Sequence, residues 1–198
     1  MIKLGNIFFK YRSYIPVPFV IIVFIFMEPV LTSIIAGFLV ALSGELIRIW
    51  SVSFAGSETR TTSGVGGTYL VTQGPYSVIR NPLYAGNILI YTGIGIMSMA
   101  LFPWLQIFGF IFFTFQYLCI IAAEEEFLQG KFKETFTQYK NSVSRFLPRI
   151  NKLPESIKSN LELNFKTGIK SERRSLQAFL ITSSVIVIYY LITLFAKK

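Results

Sequence analysis

The sequence contains no histidine and one cysteine, Cys119. The missing histidine excludes imidazole metal ligands and imidazole general bases. Proton transfer or ligand binding must fall to carboxylates, phenols, lysine or arginine. A lone cysteine cannot form an internal disulfide. Cys119 lies in an apolar run and reads as a small packing residue. Charge is also scarce: 15% of residues are charged against 53% apolar, whereas a soluble domain carries about 25% charged residues. The charges that exist are unevenly placed. Long stretches have none, while 124–174 has many. Charge is costly in hydrocarbon, so a chain built for a bilayer concentrates it in blocks.

What the sequence has in quantity is apolar runs. Crossing the hydrocarbon core takes roughly 20 helical residues. Candidate spans lie at 15–27, 30–50, 83–101, 104–123 and 176–195. The first is short, with Pro16 and Pro18 at its start, where proline is tolerated. Lys3, Lys10 and Arg12 precede it in the manner of a signal peptide. No small-residue cleavage site follows, only Glu28, Pro29 and a second apolar run, so a retained helix is expected. The expected fold is all-α: a polytopic membrane protein of about five transmembrane helices, as a single domain over residues 1–198.

The net charge of +9 invites a nucleic-acid reading. Its placement argues for membrane lipids instead, because the basic residues flank apolar runs as headgroup anchors do. With five spans, one face receives every Lys and Arg except Lys197 and Lys198. The positive-inside rule makes that face cytoplasmic, with the N-terminus and both long polar segments on it. Lys166, Lys170, Arg173 and Arg174 are expected to touch anionic headgroups.

Several short blocks are candidates for chemistry. Gly64-Val65-Gly66-Gly67 lacks the strand, helix and third glycine of a nucleotide loop, and a flexible turn is expected. Gly74-Pro75-Tyr76 is followed by Arg80-Asn81-Pro82-Leu83-Tyr84 at the start of the third span. Pro82 can open that helix with Asn81 as its N-cap. Glu124-Glu125-Glu126 closes the fourth span. Neighbours on a helix point about 100° apart, so at least one of these carboxylates is expected to turn inward and meet Arg80, Arg145 or a cationic ligand. Glu45 and Arg48 are spaced for an intrahelical pair. Phe127, Leu128, Phe132, Phe136 and Tyr139 recur at helical spacing and predict an amphipathic helix over 124–145.

Taken in order, these blocks resemble the isoprenylcysteine carboxyl methyltransferases and their phospholipid methyltransferase relatives. The family pattern Leu-Val-x-x-Gly-Pro-Tyr, then Arg-His-Pro-x-Tyr, stands here as Leu70-Val71, Gly74-Pro75-Tyr76 and Arg80-Asn81-Pro82-Leu83-Tyr84. Its second block stands as Glu124-Glu125, Leu128, Phe132, Tyr139, Val143, Arg145 and Pro148. Arg48 and Trp50 also fit. The resemblance covers about 37–149 and leaves the helix at 176–195 as an addition. Asn81 replaces the usual histidine, which keeps hydrogen bonding but not titration. Lys133 replaces a usual glycine, Phe136 a tyrosine and Ser144 a proline.

The resemblance implies S-adenosylmethionine as cofactor, held by cytoplasmic loops. Leu70, Val71, Gly74, Tyr76, Asn81, Tyr84, Glu124 and Glu125 would bind it. Arg80, Arg145 and Glu125 would be the catalytic set, the arginines for an anionic group and Glu124 or Glu125 for a proton from an amine. A carboxylate acceptor needs no base. No metal is implied. The substrate would be lipid-like, and prenylated cysteine, phospholipid amines and small hydrophobic thiols or acids all fit. Two other readings stay open: a non-catalytic lipid-binding membrane protein, and a membrane reductase on a related scaffold. Oligomeric state is open.

Overall fold

The computed structural model describes residues 1–56, 69–148 and 153–196. The Gly64–Gly67 run lies outside the described residues. Among them the chain forms six α-helices and no strand: α1 (Ile2–Tyr11), α2 (Pro16–Phe26), α3 (Leu31–Ala55), α4 (Pro82–Ser98), α5 (Trp104–Ser142) and α6 (Phe165–Ala196). Three of these, α3, α5 and α6, are long and apolar enough to cross a membrane. α1 and α2 together form a fourth candidate, bent by 60° at their junction. α4 has 17 residues, about 25 Å of helix, slightly under the hydrocarbon thickness. The all-helical membrane architecture expected from the apolar runs is present.

Local chemistry sets the boundaries. α2 and α4 open on Pro16 and Pro82, whose missing N–H would be unsatisfied in a first turn anyway. The Ser33 hydroxyl accepts from Val30 N–H at 3.1 Å and donates to Val30 C=O at 2.9 Å, fixing the start of α3. The Asn164 side-chain oxygen accepts from Thr167 N–H at 3.0 Å and caps α6. α6 therefore begins well before the apolar run at 176–195, because its first turns are polar. α1 has no counterpart among the expected segments, being too short and too charged to read as a span.

The chain divides into two compact units. One comprises Met1–Tyr11, Ile47–Ala85 and Gln116–Glu172; the other comprises Arg12–Leu46, Gly86–Phe115 and the chain from Arg173. The second unit is a lipid-type helix bundle. α3 and α4 meet at Gly37 and Gly93, where a Cβ on Gly37 would lie 2.4 Å from the Gly93 carbonyl oxygen. Only glycine permits that approach, the usual device for helix contact in lipid. Phe19 meets Phe113 edge-on at 5.5 Å, and Phe38 stacks on Phe179 at 5.5 Å. Leu39, Phe108, Ile111, Ile188 and Ile192 are exposed, as residues facing acyl chains are.

The first unit is more polar and has its own core. Phe136, Tyr139, Val143, Leu153 and Ile157 are buried together, with Leu70, Leu128 and Phe132 packed against them. The apolar face of the helix expected over 124–145 is thus used internally, apart from Phe127, which is exposed. α5 does not run straight through this stretch: Lys133 breaks it, with φ 43° and ψ −114°.

Candidate functional site

All ten candidate residues fall in the first unit. The loop from Leu70 to Tyr76 is tied down along its length. Leu70 packs on the aromatic core. Thr72 is buried; its hydroxyl donates to Ile157 C=O at 2.8 Å and accepts from Ser159 N–H at 2.8 Å. The Gln73 side chain accepts from Leu161 N–H at 2.8 Å. Gly74 has φ +60°, and a Cβ there would lie 2.3 Å from the Phe54 ring. Conformation and space both demand glycine at this turn. Gly74–Ser77 forms one 3₁₀ turn, and the Tyr76 carbonyl accepts from the Tyr139 hydroxyl at 2.7 Å. Burial pushes the Tyr76 phenol above its ordinary pKa, so it stays neutral. Val71 is half-buried within the same loop.

The next block is anchored by its backbone. Arg80 N–H donates to Ser144 C=O at 2.8 Å and Asn81 N–H to Arg145 C=O at 3.3 Å. The Asn81 carbonyl accepts from Ala85 N–H at 3.1 Å, which places Asn81 at the N-cap position of α4. Its side-chain Nδ2 is buried without a hydrogen-bond partner among the described residues.

The three glutamates divide by direction, as helical geometry requires. Glu126 is exposed, Glu124 half-buried and Glu125 buried. Glu125 meets both arginines: Oε1 accepts from Arg80 Nη2 at 2.9 Å and from Arg145 Nε at 3.0 Å, and Oε2 accepts from Arg145 Nη2 at 2.6 Å. Arg80 Nη1 also donates to the carbonyls of Lys140, at 2.8 Å, and Val143. Hydrogen bonding to Glu125 raises Arg145 above its ordinary pKa and keeps it charged. Two guanidiniums against one carboxylate leave a surplus positive charge.

Beside this cluster, the Tyr84 hydroxyl donates to Glu124 Oε1 at 2.5 Å, a short contact of the charge-assisted kind. The Tyr84 ring stacks on Tyr117 with centroids 4.9 Å apart. The structure therefore brings Arg80, Arg145 and Glu125 into one ionic cluster and pairs Tyr84 with Glu124. Leu70, Gly74 and Tyr76 form the anchored loop. The arrangement offers an anion-binding group, a carboxylate and stacked aromatic faces, which can hold a ligand that carries both charges.

Some of this was outside the sequence reading. Tyr117 stands seven residues before Glu124, two helical turns, and that spacing was its available signal. Ser159 and Leu161 reach the Thr72–Gln73 turn across 87 and 88 residues, and no local pattern marks them. Arg48 donates to Glu172 of α6 through Nε at 3.1 Å and through Nη2, and Glu45 accepts from Ser175 at 3.2 Å. Both contacts reach beyond the intrahelical spacing that singled these residues out.

Comparison with known proteins adds a family. The family model described as PEMT, phospholipid methyltransferase, matches residues 32–135. The chain is 32% identical over 104 residues to the cobalt-zinc-cadmium resistance protein CzcN of Cupriavidus metallidurans, a stretch covering 52% of this chain and 44% of that protein. It is 35% identical over 89 residues to the nickel-cobalt-cadmium resistance protein NccN of Alcaligenes xylosoxydans xylosoxydans, covering 45% of this chain and 40% of that protein. The chain thus aligns with less than half the length of either relative. No solved structure matches it.

Proposed function

The chain belongs to the phospholipid methyltransferase family, and from that premise we propose that it transfers a methyl group from S-adenosylmethionine to a lipid-like acceptor at the membrane–cytoplasm boundary. The observation that carries the reading is the ionic cluster Arg80–Glu125–Arg145 beside Tyr84–Glu124, built from the two blocks that resemble the family.

The residues present fit the cofactor. Its carboxylate suits the surplus guanidinium charge of Arg80 and Arg145. Its sulfonium and ammonium suit Glu124 and the stacked faces of Tyr84 and Tyr117. The orphaned Asn81 Nδ2 is a donor for an uncharged acceptor atom. Leu70, Val71, Gly74 and Tyr76 would form the wall. When bound, S-adenosylmethionine supplies a methyl group already activated for displacement on a sulfonium. The protein's part is alignment and exclusion of water. Glu125, gripped by two guanidiniums, stays ionised and holds them in place. Glu124, contacted by a phenol, is the better proton acceptor for an amine substrate, and a carboxylate substrate needs none.

The two relatives are named as metal-resistance proteins. This chain has no histidine and one buried cysteine. Among the described residues no three or more of His, Cys, Asp and Glu are grouped to hold a metal ion. That donor set favours modification of a lipid over sequestration of metal.

The test is calorimetric titration of the detergent-purified protein with S-adenosylmethionine. Wild type is expected to bind in the micromolar range and Glu125→Gln to bind at least tenfold more weakly, by ~1.4 kcal/mol. Folded wild type that binds none overturns the reading. Transfer of a labelled methyl group to phospholipid amine or to prenylcysteine then identifies the acceptor.

A further inference from the structure

Gln116 lies on α5 in the first unit. Its side chain is fully buried, and so are those of its neighbours Tyr117, Cys119, Ile120 and Ile121. Neither Oε1 nor Nε2 of its amide has a hydrogen-bond partner among the described residues. An amide in apolar surroundings is expensive unless something pairs with it, because removing it from water forfeits two donors and an acceptor. In the first unit the other orphaned buried side-chain atoms are Arg80 Nε and Asn81 Nδ2. Both belong to the signature block. Among the described residues of this unit, Gln116 is thus the one such residue outside it.

Its position separates it from the cofactor residues. Gln116 precedes Glu124 by two helical turns, about 12 Å, towards the apolar half of α5. The charged groups are all at the other end. Tyr117 links the two levels by stacking on Tyr84, whose hydroxyl meets Glu124. A ligand group reaching Gln116 must tolerate an apolar setting. It must also offer a donor and an acceptor together, since neither amide atom is paired.

We propose that Gln116 is a specificity-determining residue for the acceptor, pairing with a neutral group that carries both a donor and an acceptor, an amide or a hydroxyl, in the polar linkage of a lipid. The proposal rests on the methyltransferase reading for its substrate. Its first readout needs neither cofactor nor methyl transfer.

The experiment is thermal unfolding in detergent micelles, with oleamide and methyl oleate as probes. They share one chain, but the ester lacks the donor. Oleamide should raise the wild-type Tm above the value with methyl oleate, and that difference should vanish in Gln116→Leu and in the closer-shaped Gln116→Met. Without probe, both variants should melt higher than wild type, by about 2–4 °C, because an unsatisfied amide has gone. Equal effects of the two probes on wild type overturn the assignment, as does a fall in Tm in both variants, which would mark a structural amide. S-adenosylmethionine affinity should stay within twofold in Gln116→Met; its loss would give the amide to the cofactor and overturn the proposal as well. If wild type prefers oleamide but binds no S-adenosylmethionine, the methyltransferase reading fails and the Gln116 ligand class stands.

Discussion

Two of the ionic contacts described in the first unit are built differently. Arg48 and Glu172 form an ion pair between α3 and α6. The pair fastens a helix that lies outside the matched residues 32–135. In the other cluster Glu125 faces two arginines, and Arg80 also reaches the Lys140 carbonyl in the last turn of α5 and the Val143 carbonyl just beyond it. Helix ends carry carbonyls in need of outside donors, so Arg80 acts as a cap as well as an ion-pair partner. The difference teaches that a buried ion pair outside the signature blocks can serve to fasten helices. A cluster with surplus positive charge, built on signature residues, is the one that the proposed function assigns to an anionic ligand group.

The sharpest way to break that comparison is to remove each carboxylate in turn. Glu125→Ala leaves two guanidiniums facing each other with little solvent around Arg80, and breaking a buried pair this way costs about 3–5 kcal/mol. Part of that is relieved because Arg145 is 40% exposed. Glu172→Ala removes one carboxylate from Arg48, whose side chain is 16% exposed and can still draw on solvent. Thermal unfolding should show the larger loss for Glu125→Ala. Calorimetry should separate the two further: S-adenosylmethionine binding is lost with Glu125 and unchanged within twofold with Glu172. Equal loss of binding in both variants would mean that the Arg48–Glu172 pair belongs to the site.

A smaller effect is expected at Thr72, which joins the Leu70–Tyr76 loop to residues 157–159 through buried hydrogen bonds. Thr72→Val keeps the shape and removes the hydroxyl, leaving the Ser159 N–H and Ile157 C=O unpaired at a cost of about 1–3 kcal/mol. If the strap positions the loop, S-adenosylmethionine affinity falls along with stability. If it only adds stability, affinity measured well below the Tm is unchanged, and the loop's order comes from its other anchors, Leu70, Gln73, Gly74 and Tyr76.

Which parts of this were legible in the sequence follows from the range of each interaction. The spans could be read because a bilayer demands apolar runs. The inward turn of one glutamate among three could be read because helical geometry allows nothing else. The starts of α2 and α4 were marked by Pro16 and Pro82. Partners distant in sequence left no local trace: Glu172 for Arg48, Ser159 for Thr72, Ser175 for Glu45. α1 was hidden for another reason. It packs through Gly5 and Phe9, and a Gly5 Cβ would lie 2.1 Å from the Cys119 carbonyl oxygen. That contact depends on a missing side chain rather than on a periodic pattern.

The subtlest site is Lys133, where the related family usually has glycine. Its φ of 43° with ψ −114° belongs to a region that side-chain-bearing residues rarely adopt. Holding one there costs on the order of 1–3 kcal/mol. The conformation persists because both flanks are fixed. Lys133 C=O accepts from Gln129 Nε2 and Thr137 Oγ1, and Phe136 and Tyr139 beyond it are locked in the aromatic core. The lysine side chain is exposed, so little packing is lost by deleting it. Lys133→Gly removes the strain but loosens the unfolded chain by about 0.5–1 kcal/mol. The net expectation is a gain of about 1 kcal/mol, or roughly 2–4 °C in Tm. Lys133→Ala keeps the Cβ and with it the strain, so it should change Tm by less than about 1 °C on the same scale. A lower Tm for the glycine variant would mean that the bend is not strained. A gain that also weakens S-adenosylmethionine binding would mean that the bend, through the Lys140 and Val143 carbonyls held by Arg80, helps to set the ionic cluster on which the comparison turns.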